Sequence, residues 1–179
     1  MTELKLNLGC GRQPLIGYVN LDKFPGDGVD IVCDLEGGVL PFNDDSVDYI
    51  NSDSVFEHIF HWERLMPEML RILKPDGIVR INVPYKTVAL TPFHVRYFQP
   101  DTMDIFCYEY GQTWSLENGP MYHKYRVHIC RTRPFRWILN KYMGVALDSS
   151  WGYKKEAIIF ELQKPSDPEK YKVGKKWKK

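Results

Sequence analysis

The chain has 179 residues, 44% of them hydrophobic and 26% charged, with a formal net charge of +1. That length and balance fit one globular domain and exclude a disordered, collagen-like or disulfide-scaffold chain. No uncharged apolar run reaches the roughly 18 residues of a membrane span, and the opening Met-Thr-Glu-Leu-Lys lacks the charged-then-apolar order of a signal segment. Cys10, Cys33, Cys107 and Cys130 lie far apart with no CxxC pair, so a reducing, cytoplasmic location is expected. The near-neutral charge hides an asymmetry. Residues 1–90 hold 8 Lys and Arg against 14 Asp and Glu, and residues 91–179 hold 16 against 9. This is either two surfaces for different partners or one surface that neutralises itself on folding.

In chain order, Leu4–Leu8 alternates apolar and polar residues and stops at Gly-Cys-Gly, which predicts a strand running into a tight loop. Tyr18–Asp22, Asp30–Leu35 and Val47–Asp53 predict three more strands. Phe56 to Leu73 then changes to the three-four spacing of an amphipathic helix, kinked or split near Pro67. Lys74-Pro75-Asp76-Gly77 predicts a turn, and Ile78–Val83 a fifth strand. Pro100–Tyr110 and Pro134–Met143 read as helices, Gln112–His128 as the source of a sixth strand and Ala157–Gln163 as the last strand. Residues 166–179 form a basic tail. The whole of 1–165 is expected to be one domain, with a variable substrate or lid segment at about 85–155. Only about nine residues, Gly9 to Gly17, separate the first two strands, whereas a parallel crossover takes roughly a dozen or more. If those strands are parallel neighbours, the first crossover helix is reduced to a turn.

Open parallel sheets bind ligands beyond the carboxyl ends of their strands. Here the first strand ends in Gly9-Cys10-Gly11, which lets a ligand approach the backbone, and the second ends in Asp22, which can accept from a ribose diol. The third ends in Asp34-Leu35, a carboxylate and a backbone N–H that together can read adenine. Each is weak alone, since a strand-end Asp is often only a turn cap. The ordered set of three carries the prediction. A dinucleotide dehydrogenase is the lesser reading. Its third glycine is replaced in Gly9-x-Gly11-x-x-Pro14, and Asp22 comes sooner than the usual twenty or so residues.

The stretches LNLGCGRQPLIGYVNLDKFP, DLEGGVLPFNDDSVDYINSDSVFEHI and MLRILKPDGIVRINVP resemble the class I S-adenosylmethionine-dependent methyltransferases, and most of all their short type 11 group. HVRYFQPDTM resembles that group more loosely. The resemblance implies an α/β, Rossmann-like, mostly parallel sheet with a C-terminal antiparallel strand. It implies S-adenosylmethionine as cofactor, with Gly9, Cys10 and Gly11 at its methionine and ribose. Asp22 would hold the ribose hydroxyls, Asp34 and Leu35 the adenine, and Ser52 and Asp53 the region of the sulfonium and methionine amine. The family often has an acid where Asn7 stands, so Asn7 implies one weakened contact at the methionine end. The implied function is methyl transfer to a small-molecule or glycan acceptor, on oxygen. The alternative is an inactive, methyltransferase-like module that binds S-adenosylmethionine or a protein partner.

A hydroxyl acceptor calls for a general base, and the candidates are His94, just past the fifth strand, and His58, in Phe-Glu-His. The plain alternatives are a loop histidine bonded to a carbonyl and a helix-start histidine packed on the cofactor loop. Glu57 and His61 would share a helix face, yet no recognisable zinc spacing follows, so no metal is expected. Cys10 reads as a small residue filling a tight loop. Lys124, Arg126, His128, Arg131, Arg133 and Arg136 stand among aromatic residues, as either an anion clamp or a solvated face. A sequence pI near 7.7 argues against nucleic acid as a partner. Acceptor identity and oligomeric state are not legible in the sequence.

Overall fold

The computed structural model describes residues 3–85, 92–107, 122–131 and 156–167. Seven strands form one sheet: β1 (Lys5–Leu8), β2 (Val19–Asp22), β3 (Ile31–Val32), β4 (Val47–Asp53), β5 (Leu73–Pro84), β6 (His123–Arg131) and β7 (Glu156–Gln163). Their spatial order is β3-β2-β1-β4-β5-β7-β6. The first five pair in parallel, and β7 runs antiparallel to both β5 and β6. The sheet is therefore Rossmann-like and mostly parallel, as the sequence predicts, and its order reverses beside β1.

Alternation along the strands assigns the two faces. Leu6, Leu8, Leu21, Ile50, Val79, Ile81, Ile158, Phe160 and Leu162 are buried in one core with Leu65, Met66, Met69 and Ile72 of helix α1 (Leu65–Ile72). The opposite face is polar. At one register across the sheet stand Asn20, Asn7, Asn51 and Arg80, followed by Glu161 and Arg126. The first four form a hydrogen-bonded ladder. Asn7 Nδ2 donates to Asn20 Oδ1, Asn51 Nδ2 to Asn7 Oδ1, and Arg80 Nη1 to Asn51 Oδ1, each at 3.0 Å.

This ladder explains how the chain manages with such short crossovers. Neither the β1–β2 nor the β2–β3 connection contains a helix. In place of one, the Asn20 side chain pins the first loop, accepting from Leu15 N at 2.8 Å and donating to Leu15 O at 3.2 Å. The second loop packs on the first so closely that a Cβ at Gly28 would lie 2.6 Å from Pro14 Cγ. A polar sheet face needs no apolar helix against it.

Asn7 is thus fixed by its neighbours. Its amide donates to one side and accepts from the other, and Asn20 cannot turn over without losing its bonds to Leu15. Asn7→Asp is expected to set a carboxylate against Asn20 Oδ1 and to cost about 1–3 kcal/mol, read from urea denaturation midpoints.

Two expected helices differ. The segment from Phe56 to Leu73 splits into 3-10 turns at Phe56–His58 and Trp62–Arg64 and then α1. Pro67 falls in the first turn of α1, where its missing N–H has no intrahelical partner to lose. The break follows from Ile59, whose extended backbone lets Phe56 and Trp62 both join the aromatic cluster with Phe98 and Phe106. Within Pro100–Tyr110 only a 3-10 turn, Asp104–Phe106, forms before Cys107 bridges to Tyr122. Residues 108–110, the predicted helix at Pro134–Met143 and the tail from residue 168 lie outside the described residues.

Candidate functional site

The carboxyl ends of β1, β2, β3 and β4 bring the predicted residues to one end of the sheet. Gly9 follows β1 with φ +64°, and a Cβ there would lie 2.5 Å from Val55 Cγ2. Only glycine lets the loop after β1 close against the exit of β4. Two residues on, Gly11 (φ +52°) has nothing within 4 Å of where a Cβ would stand. The loop is therefore tight on its protein side and open in front. Cys10 is buried, and burial raises its thiol above the usual range, as suits a space-filling side chain.

Asp22 ties this loop to β2. Its Oδ2 accepts from Gly11 N at 2.8 Å and its Oδ1 from Phe24 N at 3.0 Å. A carboxylate has about four lone-pair sites, so each oxygen keeps one for a ligand hydroxyl. Gly11, Arg12, Asp22, Phe24, Pro25, Gly26, Asp27 and Val29 line a cavity of about 670 Å³. That is ample for a nucleoside.

The other predicted cofactor residues are placed differently. Asp34 Oδ1 caps the 3-10 turn Leu35–Gly37 through Glu36 N at 3.1 Å, and its Oδ2 pairs with Lys23 Nζ at 2.9 Å. The Lys23 ammonium holds the Asp34 carboxyl below the usual carboxylate range. Leu35 is part of the core, and neither residue lines the cavity. Ser52 points to the core face, buried, with an Oγ that has no hydrogen-bond partner among the described residues. Asp53 lies on the other face, where Oδ1 accepts from Asn82 Nδ2 and Ser54 Oγ, both at 3.0 Å.

His58 and His94, far apart in sequence, stand together with ring centroids 4.9 Å apart and planes at 79°. The segment carrying His94 is fastened to the turn carrying His58. Val95 N and Arg96 N both donate to Glu57 O, Arg96 Nη2 donates to Phe60 O at 2.6 Å, and Phe93 O meets His58 Nδ1 at 3.0 Å. Val55, which closes on Gly9, lies just before this turn, so the pair belongs to the β4 side of the glycine loop.

Sequence spacing pairs Glu57 with His61, and the structure does not. With the helix broken at Ile59, His61 turns to Glu63 at 3.2 Å, while Glu57 faces His58. Glu57 is 1% exposed, and burial pushes its carboxyl up to about 7, with His58 opposing the rise. Its association with His94 is tertiary and has no signal in local spacing. Of the basic cluster, Arg126 and His128 are exposed on β6, each 3.9 Å from Glu161. Arg133 and Arg136, and the side chains of Lys124 and Arg131, lie outside the described residues.

Residues 17–81 match the family model described as a methyltransferase domain. That match covers the second strand through the middle of β5 and takes in Asp22, Asp34, Ser52, Asp53 and His58. Over residues 17–81 the chain is similar to the methyltransferase-domain family. The methyl donor of that family is S-adenosylmethionine.

An uncharacterized methyltransferase of Mycobacterium tuberculosis is 47% identical over 57 residues, which are 32% of this chain and 21% of that protein. The chain thus spans about a fifth of the length of the curated relatives it matches first. An S-adenosylmethionine-dependent methyltransferase from Mesorhizobium loti aligns with TM-score 0.53 at 13% identity, covering 90% of this chain and 91% of that one. The [4+2]-cyclase SpnF aligns with TM-score 0.58 at 14% identity, covering 92% and 76%. At these identities the likeness is one of fold, and the fold extends well beyond the segment that the family model matches. No helix among the described residues is long and apolar enough to cross a membrane.

Proposed function

We propose that this chain binds S-adenosylmethionine at the carboxyl ends of β1 and β2 and transfers its methyl group to a hydroxyl of a small-molecule or glycan acceptor. The observation that carries the reading is the open glycine loop locked to Asp22, beside a cavity of about 670 Å³. The residues fit the cofactor. Asp22 has acceptor sites left for a ribose diol, Gly11 leaves its front clear, and the charge of Asp22 makes such bonds worth roughly 1.5–3 kcal/mol each. In this reading Asp34 and Leu35 serve the adenine end from the next strand, and Ser52 and Asp53 the methionine end.

When bound, S-adenosylmethionine supplies an electrophilic methyl on a sulfonium. The chain's share is to place a nucleophile in line, which is worth up to roughly 7–11 kcal/mol, and to take up its proton. His58 and His94 are assigned to the acceptor oxygen. They face each other, their supporting segments are bonded together, and they lie on the β4 side of the glycine loop.

His58→Asn and His94→Asn should each lower transfer of labelled methyl to an acceptor extract by about 10²–10⁴-fold, the range for a lost acid–base group. Both should leave S-adenosylhomocysteine affinity within about twofold. Undiminished transfer in both variants removes the pair from the mechanism. Tight cofactor binding with no methylated product from any acceptor pool would favour the inactive binding module.

A further inference from the structure

A buried carboxylate without partners is costly, and native structures tolerate few of them. Glu57 is 1% exposed, and its Oε2 has no hydrogen-bond partner among the described residues. Its other oxygen, Oε1, stands 4.0 Å from His58 Nε2. The tautomer of His58 follows from its other nitrogen. Nδ1 lies 3.0 Å from the carbonyl oxygen of Phe93, which can only accept, so Nδ1 carries the hydrogen. In the neutral ring Nε2 then offers its lone pair toward Glu57. His94 stacks edge-on beside His58, and one ligand atom from each of the three residues lies within 4.8 Å of the others.

We propose that Glu57, His58 and His94 bind one divalent transition-metal ion at the acceptor end of the site. Two imidazoles and one carboxylate form the His₂Glu set of catalytic zinc sites and the facial set of other first-row metals. Magnesium and calcium prefer oxygen ligands and match it poorly. Bonds of roughly 2.0–2.2 Å place ligand atoms about 3.3 Å apart around a tetrahedral ion, so side-chain rotations of about an ångström close the site. The supporting contacts are those of a ligand set. The Nδ1–H of His58 is held by a backbone carbonyl, and the segment bearing His94 is bonded through Val95 N and Arg96 N to the carbonyl of Glu57. A cation on the Glu57 carboxylate would also offset the charge that is buried there.

Three protein ligands leave a position for an acceptor oxygen. A hydroxyl bound there would release its proton to solvent water near neutral pH, much as zinc-bound water does at about 7, and its oxygen would take the methyl group as the methyl–sulfur bond of the sulfonium breaks. The assigned acceptors would be alcohols, phenols or sugar hydroxyls, above all those with a second oxygen placed to chelate. That role rests on the methyl-transfer reading above and would take the place of proton uptake by the two imidazoles, since a metal-bound ring nitrogen has no lone pair left for a proton; metal binding itself does not rest on that reading.

The test uses the full chain, stripped with a chelator and titrated with Co²⁺ by absorption and with Zn²⁺ by calorimetry. S-adenosylhomocysteine binding and thermal melting are measured on the same preparations. The expected result is one equivalent of Co²⁺, displaced by Zn²⁺. Glu57→Gln, His58→Asn and His94→Asn should each weaken binding by about 100-fold or more, beyond the 10–100-fold typical of outer partners. His61→Asn, on the neighbouring turn, should bind like the wild type. His94→Asn changes a partly exposed loop residue, so it stays informative if Glu57→Gln melts early. No stoichiometric binding by the wild type, affinity unchanged in all three ligand variants, or affinity lost in His61→Asn overturns the site. One equivalent of metal without any S-adenosylhomocysteine binding upholds the site and overturns the methyl-transfer reading alone.

Discussion

Asp22→Ala should lower the affinity for S-adenosylhomocysteine at least tenfold, and on the order of a hundredfold if both carboxylate oxygens serve the ribose. Two losses add. The ligand loses charged acceptors worth roughly 1.5–3 kcal/mol each. The protein loses the bonds that hold Gly11 N and Phe24 N, so the loop in front of the cavity is freed as well. Asp22→Asn separates them. Its amide oxygen can still accept from Gly11 N, so this variant should fall between wild type and alanine. Lys176→Ala, in the basic tail, should change nothing. Isothermal titration of the four proteins gives the order. Equal affinities for wild type and Asp22→Ala would move the site elsewhere.

The second large effect is expected at Gly9. An alanine Cβ would lie 2.5 Å and 2.7 Å from the two Cγ atoms of Val55, at a φ that side chains seldom adopt. Overpacking costs roughly 1–3 kcal/mol and the left-handed conformation a further 1–2 kcal/mol or so. Gly9→Ala should therefore unfold several degrees earlier and bind cofactor poorly. Val55→Ala removes both Cγ atoms and leaves Cβ at 3.2 Å. In the Gly9→Ala background it should recover the steric part of the loss and not the backbone part. A double-mutant cycle on thermal unfolding measures this. If the two effects simply add, Val55 does not close on the loop.

The parallel half of the sheet was legible because its strands carry their own signals. Val47–Asp53 matches β4 at both ends, and the missing first crossover helix follows from the short span between Leu8 and Val19. The edge strand β3 shrank to Ile31–Val32, where only one neighbour supports it. Helical periodicity misled at Phe56–Arg64, because apolar residues at those intervals also suit two 3-10 turns feeding an aromatic cluster. The site divides in the same way. Glycines and a strand-end aspartate announce themselves locally, so the tight loop at Gly9 and Gly11 and the place of Asp22 at the end of β2 were readable. Asp34 falls two residues beyond β3, where it caps the turn Leu35–Gly37 and pairs with Lys23, the cap role that a lone aspartate also signals. Asn7 looked like a weakened contact to the cofactor, whereas it is the middle rung of a ladder visible only once three strands are in register. The meeting of Glu57 with His94 depends on a loop folding back, which no local spacing encodes.

Native mass spectrometry of the full chain mixed with S-adenosylhomocysteine, with NAD as the competing ligand, puts the nucleoside site most directly to the test. The geometry of the glycine loop and Asp22 predicts a single S-adenosylhomocysteine adduct that Asp22→Ala abolishes and that excess NAD does not displace. An NAD adduct in its place, or an S-adenosylhomocysteine adduct indifferent to residue 22, would contradict it.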